Sequence, residues 1–340
     1  MPGYLLKRYK SIQQQSFLQQ PARYRHAYAI VGTGKHGFTN LYPCIWHLGL
    51  PVKAIYSASL ANATAAATRW NNCAGTNDIN TILNDPGIKG VIVAIPPARQ
   101  AAMTRQLLGA GKQVFVEKPV GLSVTELKEV LAAQKDNICQ VGLQRRFAPV
   151  TDILRKQCRD ATSYNYRFLL GAYPEGNCVY DLFIHPLDFV AQVFGTPVME
   201  HVAIQKNSAG MTCFITLSHG AIRGSIELST HYSWQHPVDE IVVNTKSKII
   251  TARYPGHVSA IVKPARVFNI PLEKVFPRPQ QKEIYLENTF IPSADMNSLH
   301  LQGFYPQLKY FAGSVENNRR GKLSSLESLL PVYEILDRLK

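Results

Sequence analysis

Acidic residues are missing from the start of this 340-residue chain: none precedes Asp78, whereas Lys7, Arg8, Lys10, Arg23, Arg25, Lys35, Lys53 and Arg69 do. That part of the chain is therefore positive, which favours ligands that carry phosphate. The formal net charge of +14 is otherwise dispersed. No block of lysine and arginine, recognition helix or RNA-binding signature accompanies it, so nucleic acid is not expected as a partner. Cysteine is scattered (Cys44, Cys73, Cys139, Cys158, Cys178 and Cys213) with no Cys-x-x-Cys pair. A zinc ribbon and a disulfide framework are thereby disfavoured, and reduced thiols in a cytoplasm are expected. No apolar run reaches the roughly 18–20 residues that cross a bilayer, so no membrane partner is expected. The glutamine-rich first 25 residues lack the continuous apolar stretch of a signal peptide, and export is not expected. Residues 1–25 read as an N-terminal arm. It either packs through Tyr4, Leu5, Tyr9, Ile12 and Phe17 on the body or a neighbouring subunit, or frays.

What is present is centred on Ala29–Val31, a β-prone run that feeds directly into Gly32-Thr33-Gly34-Lys35-His36-Gly37. Gly32 permits a sharp turn out of the strand, and Gly34 has no Cβ to hold a pyrophosphate away. Gly37 is expected to let the next helix pack closely on the sheet, its first N–H groups facing phosphate. The helix runs through Leu41, Ile45 and Leu48 to Gly49, with a kink at Pro43. A second strand, Val52–Ser57, completes a βαβ unit of a dinucleotide-binding domain. It ends in Ser57-Ala58-Ser59, where such domains usually carry a carboxylate for the ribose hydroxyls. A hydroxyl tolerates a 2′-phosphate that a carboxylate would repel, so NADP(H) is favoured over NAD(H). The arginine that commonly follows is absent, leaving Lys35 or Arg69 as substitutes.

Strand and helix go on alternating to about Gly142. Ala61–Trp70 and Asp78–Leu83 read as helices with a turn at Gly75 between them. Gly90–Ile95, Gln113–Val116 and Ile138–Val141 read as strands, with a helix through Met103, Leu107 and Leu108. The fold class is α/β, a doubly wound parallel sheet over residues 26–145. Residues 146–340 read as an α+β domain with an open, mostly antiparallel sheet whose wide face is available for oligomerisation. Its helix is Val150–Cys158 and its strands are Thr162–Leu170, Val198–Gln205, Met211–Ser218, Ala221–Ser229, Glu240–Asn244 and Lys248–Arg253, read as antiparallel neighbours because short turns join them. Pro255–Pro279 reads as loop. Leu299–Val315 and Ser325–Leu339 read as closing helices that pack back on the first domain.

Three clusters can carry chemistry. Lys118, in Glu117-Lys118-Pro119, follows a strand at the carboxyl edge of the sheet, where open α/β folds bind ligands. It is either a surface lysine in a proline-ended turn or an ammonium that polarises a substrate oxygen. Asp181, His185 and Asp188 share a helical face, which suits an oriented acid–base histidine or, equally, a capped helix with a structural one. The spacing lacks the flanking ligands of common zinc motifs, so no metal is expected. Arg145 and Arg146 sit at the domain junction, placed either to hold an anion or to make interdomain ion pairs.

In order, Gly32–Gly37, Ile95-Pro96-Pro97, Gly111–Pro119, Arg145-Arg146-Phe147 and Asp181-x3-His185-x2-Asp188 resemble the glucose–fructose oxidoreductase / inositol dehydrogenase (Gfo/Idh/MocA) family. The resemblance extends over nearly the whole chain, including Gln302-Gly303-Phe304. It implies a Rossmann domain, a C-terminal domain whose open sheet makes dimer or tetramer contacts, and a nicotinamide cofactor. It also implies hydride transfer to or from a carbinol carbon of a sugar, cyclitol or nucleotide sugar. By position it implies Lys118, His185 and Asp181 as catalytic residues. Gly32, Thr33, Gly34, Lys35, His36, Gly37, Ser57, Ser59, Ile95, Pro96, Pro97, Glu117 and Lys118 are the expected cofactor contacts. Arg146 and Tyr173 join Lys118, Asp181 and His185 as expected substrate contacts, and the basic charge leans toward an anionic substrate. Tyr164, Arg167, Glu175, Asn177 and Tyr180 are further candidates to face the pocket. The chain departs from the family at Ser57, at Gln100, where histidine is frequent, and at Phe183, where glycine is common and a phenylalanine would narrow the pocket. Two other classes use this fold: a glycoside hydrolase with retained NAD and a non-catalytic ligand sensor. Proton-transfer groups at Lys118 and His185 favour the oxidoreductase, a cytoplasmic homodimer or homotetramer.

Overall fold

A computed structural model describes residues 2–18, 24–263, 266–268, 270–274, 281–287 and 297–340. Helix α1 (Pro2–Leu18) precedes the first strand, and its described side chains, Gly3 to Ser11, are exposed. Phe17 and Ile12, expected on one face of the arm, lie outside the described side chains.

The short apolar runs of the first half become β1 (Ala27–Val31), β2 (Val52–Tyr56), β3 (Ala74–Thr76), β4 (Ile88–Val93), β5 (Gln113–Glu117) and β6 (Cys139–Gly142). They pair in parallel in the order β3-β2-β1-β4-β5-β6. This is the doubly wound order, with its crevice beside β1 where the strand order reverses. Gly75 is not the expected turn but lies in β3. A Cβ there would fall 2.4 Å from the backbone nitrogen of Thr64, so the residue is small because a helix crosses the strand closely. The intervening helices are α2 (Tyr42–Leu48), α3 (Leu60–Ala67), α4 (Asn80–Leu83), α5 (Pro97–Gly109) and α6 (Val124–Gln134). Pro43 has no N–H to return to the preceding turn, and the chain there winds wide, as a π turn over Gly37–Leu41.

The second sheet contains β7 (Ala161–Leu169), β8 (Val198–Asn207), β9 (Gly210–His219), β10 (Ile222–Ser229), β11 (Val238–Thr245), β12 (Lys248–Arg253) and β13 (His257–Val262). A small ribbon, β14 (Arg266–Val267) and β15 (Ile270–Pro271), precedes its last strand, β16 (Gln281–Leu286). The order is β16-β13-β12-β11-β7-β10-β9-β8. Two expectations are corrected. Strand β10 runs parallel to β7, because the chain leaves β7 and returns beside it only after a helix and the β8–β9 hairpin. Strand β13 occupies the start of the segment read as loop, its pairing with β12 supplied despite the flanking prolines; residues 264–265, 269 and 275–279 of that segment lie outside the described residues.

Helices α7 (Pro149–Gln157) and α8 (Ile184–Phe194) cover one face of this sheet, burying Val150, Leu154, Leu187 and Val190 in the cluster that holds Tyr166, Phe168, Ile226 and Ile241. The alternate residues Phe214, Val242, Ile249 and Ile261 face outward and are exposed. The chain closes with α9 (Ser298–Leu301), α10 (Phe304–Glu316) and α11 (Leu330–Asp337). Phe304, Leu308, Phe311, Ala312 and Val315 of α10 share a buried cluster with Tyr28, Ile30 and Phe115 of the first sheet. From α11, the Tyr333 hydroxyl accepts the amide of Val120 at 2.9 Å, and Asp337 accepts that of Val124 at 3.1 Å and the Tyr180 hydroxyl. The last helix thereby fastens both the turn after Lys118 and the segment that carries Asp181.

Candidate active site

The glycine turn leaves β1 with Gly32 at φ +115°, and a Cβ there would lie 2.1 Å from the carbonyl oxygen of Ala94. Only glycine fits this backbone and this approach. Gly34 differs: a Cβ on it would meet nothing within 4 Å, so the space beside it is open to a ligand. Gly37 was expected to permit close helix packing. Its Cβ would touch only the Tyr42 ring, at 3.4 Å, at the near edge of ordinary contact, so the packing demand there is mild. Helical structure begins at Lys35, and the first amides of such a run lack intrahelical acceptors.

One cavity of about 690 Å³ opens on this turn. Gly32, Thr33, Gly34, Lys35, His36, Gly37, Ser57, Ile95, Pro96, Pro97, Glu117 and Lys118 all line it, as do Tyr173 and Asp181. Segments far apart in sequence thus converge on the carboxyl edge of the first sheet. A cleft with an open glycine cradle, a helix start beside it and a buried Gln100 side-chain oxygen with no hydrogen-bond partner among the described residues fits a dinucleotide. Among the described residues there is no cluster of histidine, cysteine and carboxylate side chains fit to hold a metal ion.

At the far end of the cleft, Lys118 Nζ donates to the backbone carbonyl of Asp181 at 2.6 Å. Burial lowers the proton affinity of this ammonium, while Glu117 and Asp181 oppose that effect. Glu117 fits because Gly142 makes room: a Cβ there would fall 2.7 Å from its carboxylate. The His36 ring reaches toward the same carboxylate, 3.5 Å from Oε1. The Asp181 carboxylate accepts the Asn177 amide at 2.9 Å and the Tyr173 hydroxyl at 3.4 Å. Burial and the neighbouring carboxylate push the Tyr173 phenol up to about 12, so it remains a donor.

His185 is half-buried one helical turn beyond Asp181, and its Nδ1 has no partner among the described residues. The carboxylates expected to orient it do not: Asp181 is bound to its own loop, and Asp188 to Arg146. Burial drives the imidazole well below its ordinary proton affinity, and the charges of Lys118 and Arg145 add to that. The ring is therefore neutral, with its basic nitrogen available but weakened rather than strengthened by its surroundings.

Several expected ligand contacts are corrected. Arg146 is 1% exposed; its guanidinium holds Asp188 at 2.6 Å and the carbonyl of Leu323 at 3.0 Å, so it faces no pocket. Arg145 pairs with Asp239 at 2.7 Å and lies over the Tyr254 ring. Both are interior ion pairs, and the lean toward an anionic substrate loses its arginines. Ser59 turns away to cap α3, accepting the Asn62 amide at 3.3 Å. Phe183 is fully buried in the core and narrows nothing. Tyr164 stacks on Phe194, Arg167 pairs with Glu227, Asn177 caps the turn before α8, and Tyr180 holds Asp337, whereas Glu175 lines the cavity. Arg69 lies over the Trp46 ring, 4.8 Å from its centre. Sequence reasoning missed Tyr56, Ala94, Arg99 and Met103 in the lining. Tyr56, Ala94 and Arg99 lie at or shortly past the ends of β2 and β4, the strands that flank β1, whereas Met103 enters from the second turn of α5.

The fold and cleft define a Rossmann-type nucleotide-binding protein with a second, mostly antiparallel sheet. Residues 26–144 match the model of the oxidoreductase family Gfo/Idh/MocA, described as an NAD-binding Rossmann fold. A scyllo-inositol 2-dehydrogenase (NAD(+)) of Bacillus subtilis is 30% identical over 224 residues, covering 57% of this chain and 64% of that one. The chain spans about half to two thirds of the length of such curated relatives, 54% for an uncharacterised B. subtilis oxidoreductase. Among solved structures, a dehydrogenase from Chromobacterium violaceum is similar over 92% of this chain and 94% of its own, with a TM-score of 0.78 and 16% identity. A levoglucosan dehydrogenase, solved with NADH and levoglucosan, gives 0.75 at 16% identity over 92% and 96%. At that identity the likeness is one of fold, and it extends over both sheets.

Proposed function

We propose that the protein is a nicotinamide-dependent oxidoreductase, favouring NADP(H) over NAD(H), that interconverts a CH–OH group and a carbonyl on a sugar, cyclitol or related polyhydroxylated compound. The observation that carries this reading is the convergence in one cleft of the glycine cradle with Lys118 and Asp181. The cofactor, held by the turn Gly32–Gly37 and flanked by Ser57 and the Pro96-Pro97 turn, would supply the hydride acceptor or donor at its nicotinamide. The chain's own share is binding, orientation and proton movement. In oxidation His185, neutral as the fold keeps it, takes the hydroxyl proton on a ring nitrogen. Lys118, anchored on Asp181, offers its remaining N–H groups to the developing alkoxide. Reduction reverses the proton's path. Tyr173 and Asp181 hold further substrate hydroxyls. The relative named for scyllo-inositol and the structure that holds levoglucosan support a polyhydroxylated substrate.

The outward apolar face of the second sheet supports a homodimer or homotetramer, and the six free cysteines support a cytoplasmic site. Among the described residues no helix is long and apolar enough to cross a membrane.

The test is to incubate the protein with NADP+ or NAD+ and a panel of cyclitols and sugars, following reduced-nicotinamide absorbance. Reduction by one member, lost in Lys118→Ala, is expected. Glycoside cleavage without net reduction would replace this reading with a hydrolase.

A further inference from the structure

Strand order places the ends of β2 and β4 on either side of β1, so Ser57 and the Pro96–Arg99 segment flank the glycine turn. Ser57, Ala58, Lys35 and Arg99 all line the same cavity. The hydrogen-bond inventory at Ser57 is specific. Its Oγ accepts the Thr33 hydroxyl at 2.9 Å and the Ser59 amide at 3.4 Å. A serine hydroxyl has two acceptor positions and one proton, so with both acceptor positions taken it has only a donor left to offer. Arg99 sits in the first turn of α5, exposed, and among the described residues its guanidinium has no ion pair. Arg105, Arg145, Arg146, Arg155 and Arg167 each hold a carboxylate. Of the carboxylates that line the cavity, Glu117 and Asp181 lie with Lys118 beyond β4, on the side away from β2, and Glu175 acts on Tyr173, whose hydroxyl is bound to Asp181. The β2 side of the cleft is thus furnished with donors and cations and with no acidic acceptor for a ribose diol. Such a set suits an oxyanion.

We propose that Arg99, reaching across from the turn after β4, and the Ser57 hydroxyl together form the site for the 2′-phosphate of NADP(H). The inference rests on the nicotinamide-cofactor reading above. It makes Arg99 the residue that replaces the arginine missing after Ser57, a place that Arg69, engaged with Trp46, does not fill.

The experiment titrates the full-length protein with NADPH and with NADH by nicotinamide fluorescence, then displaces NADPH with 2′,5′-ADP or 5′-ADP. Wild type is expected to bind NADPH more tightly and to release it to 2′,5′-ADP at lower concentration than to 5′-ADP. In Arg99→Gln, NADPH affinity should fall roughly 10- to 100-fold, the range of a charge-assisted bond to phosphate, with NADH affinity unchanged. Ser57→Asp should invert the preference. A wild type that prefers NADH overturns the NADP reading and this site with it. A wild type that prefers NADPH, with the preference intact in Arg99→Gln, overturns the role of Arg99 alone. Equal loss of both cofactors in that variant also overturns it, since the defect would then lie elsewhere in the cleft.

Discussion

The ammonium of Lys118, at the end of a strand in the first sheet, donates at 2.6 Å to the carbonyl of Asp181, in the segment that leads into α8. One hydrogen bond thus joins the nucleotide cleft to the element that carries His185. Replacing Lys118 with Ala removes both the bond and the cation. Turnover should fall about 100- to 10,000-fold, the span typical of a lost proton-transfer or polarising group. Cofactor affinity, set mainly by the glycine turn, should change little. Steady-state rates and nicotinamide fluorescence on the same preparation check both halves, and near-normal turnover would sink the assignment.

Acid should weaken the protein through His185. Its folded proton affinity lies well below the ordinary 6.5, so on acidification the unfolded chain takes the proton first. The stability contributed by the neutral ring is therefore held above pH 6.5 and lost as the pH falls below it. A plot of melting temperature against pH should descend more steeply there for wild type than for His185→Gln. The oxidation rate should likewise persist below pH 6.5. Its alkaline decline should begin below 10.5, where the lowered Lys118 loses its charge.

Asp188→Ala should be costly to the fold rather than to substrate recognition. Arg146 and Asp188 are each 1% exposed, and truncation leaves a guanidinium uncompensated in the interior. About 3–5 kcal/mol of stability should be lost, measurable by denaturant titration. If the variant kept full stability but lost affinity for acidic sugars alone, Arg146 would belong to the substrate site after all.

Two glycines of one motif should behave oppositely. Gly32→Ala forces a Cβ into the Ala94 carbonyl at a positive φ and should destabilise the apo protein by at least about 1–3 kcal/mol. Gly34→Ala meets nothing in the apo fold, so its melting temperature should match wild type while cofactor binding weakens. Thermal melts with and without NADPH separate the two.

Much of this was legible in the residues. Period and punctuation located β1, β2, β4 and β5, because buried parallel strands are short apolar runs bounded by glycine and proline. The three-residue β3 was not, since a strand that brief leaves no period to read. Arg146 was ambiguous for a related reason. An arginine beside a cleft and one paired inside a core look alike until the partner, Asp188, is seen to point at it. Arg99 was invisible because adjacency of β2 and β4 across β1 belongs to the topology, not to any local pattern.

The clasp made by α11 has a consequence for how the protein comes into being. The turn after Lys118 is gripped by Tyr333, and Asp181's segment by Asp337 through Tyr180. During synthesis the strands of the first sheet emerge before the second sheet, but the α10 residues that pack on Tyr28, Ile30 and Phe115 emerge only after it. Lys118, though made early, has the turn that follows it and the segment of Asp181 fastened only when the chain has emerged as far as Asp337. Until the closing helices emerge, the cleft lacks both the covering of its sheet by α10 and the fastening of its far wall by α11.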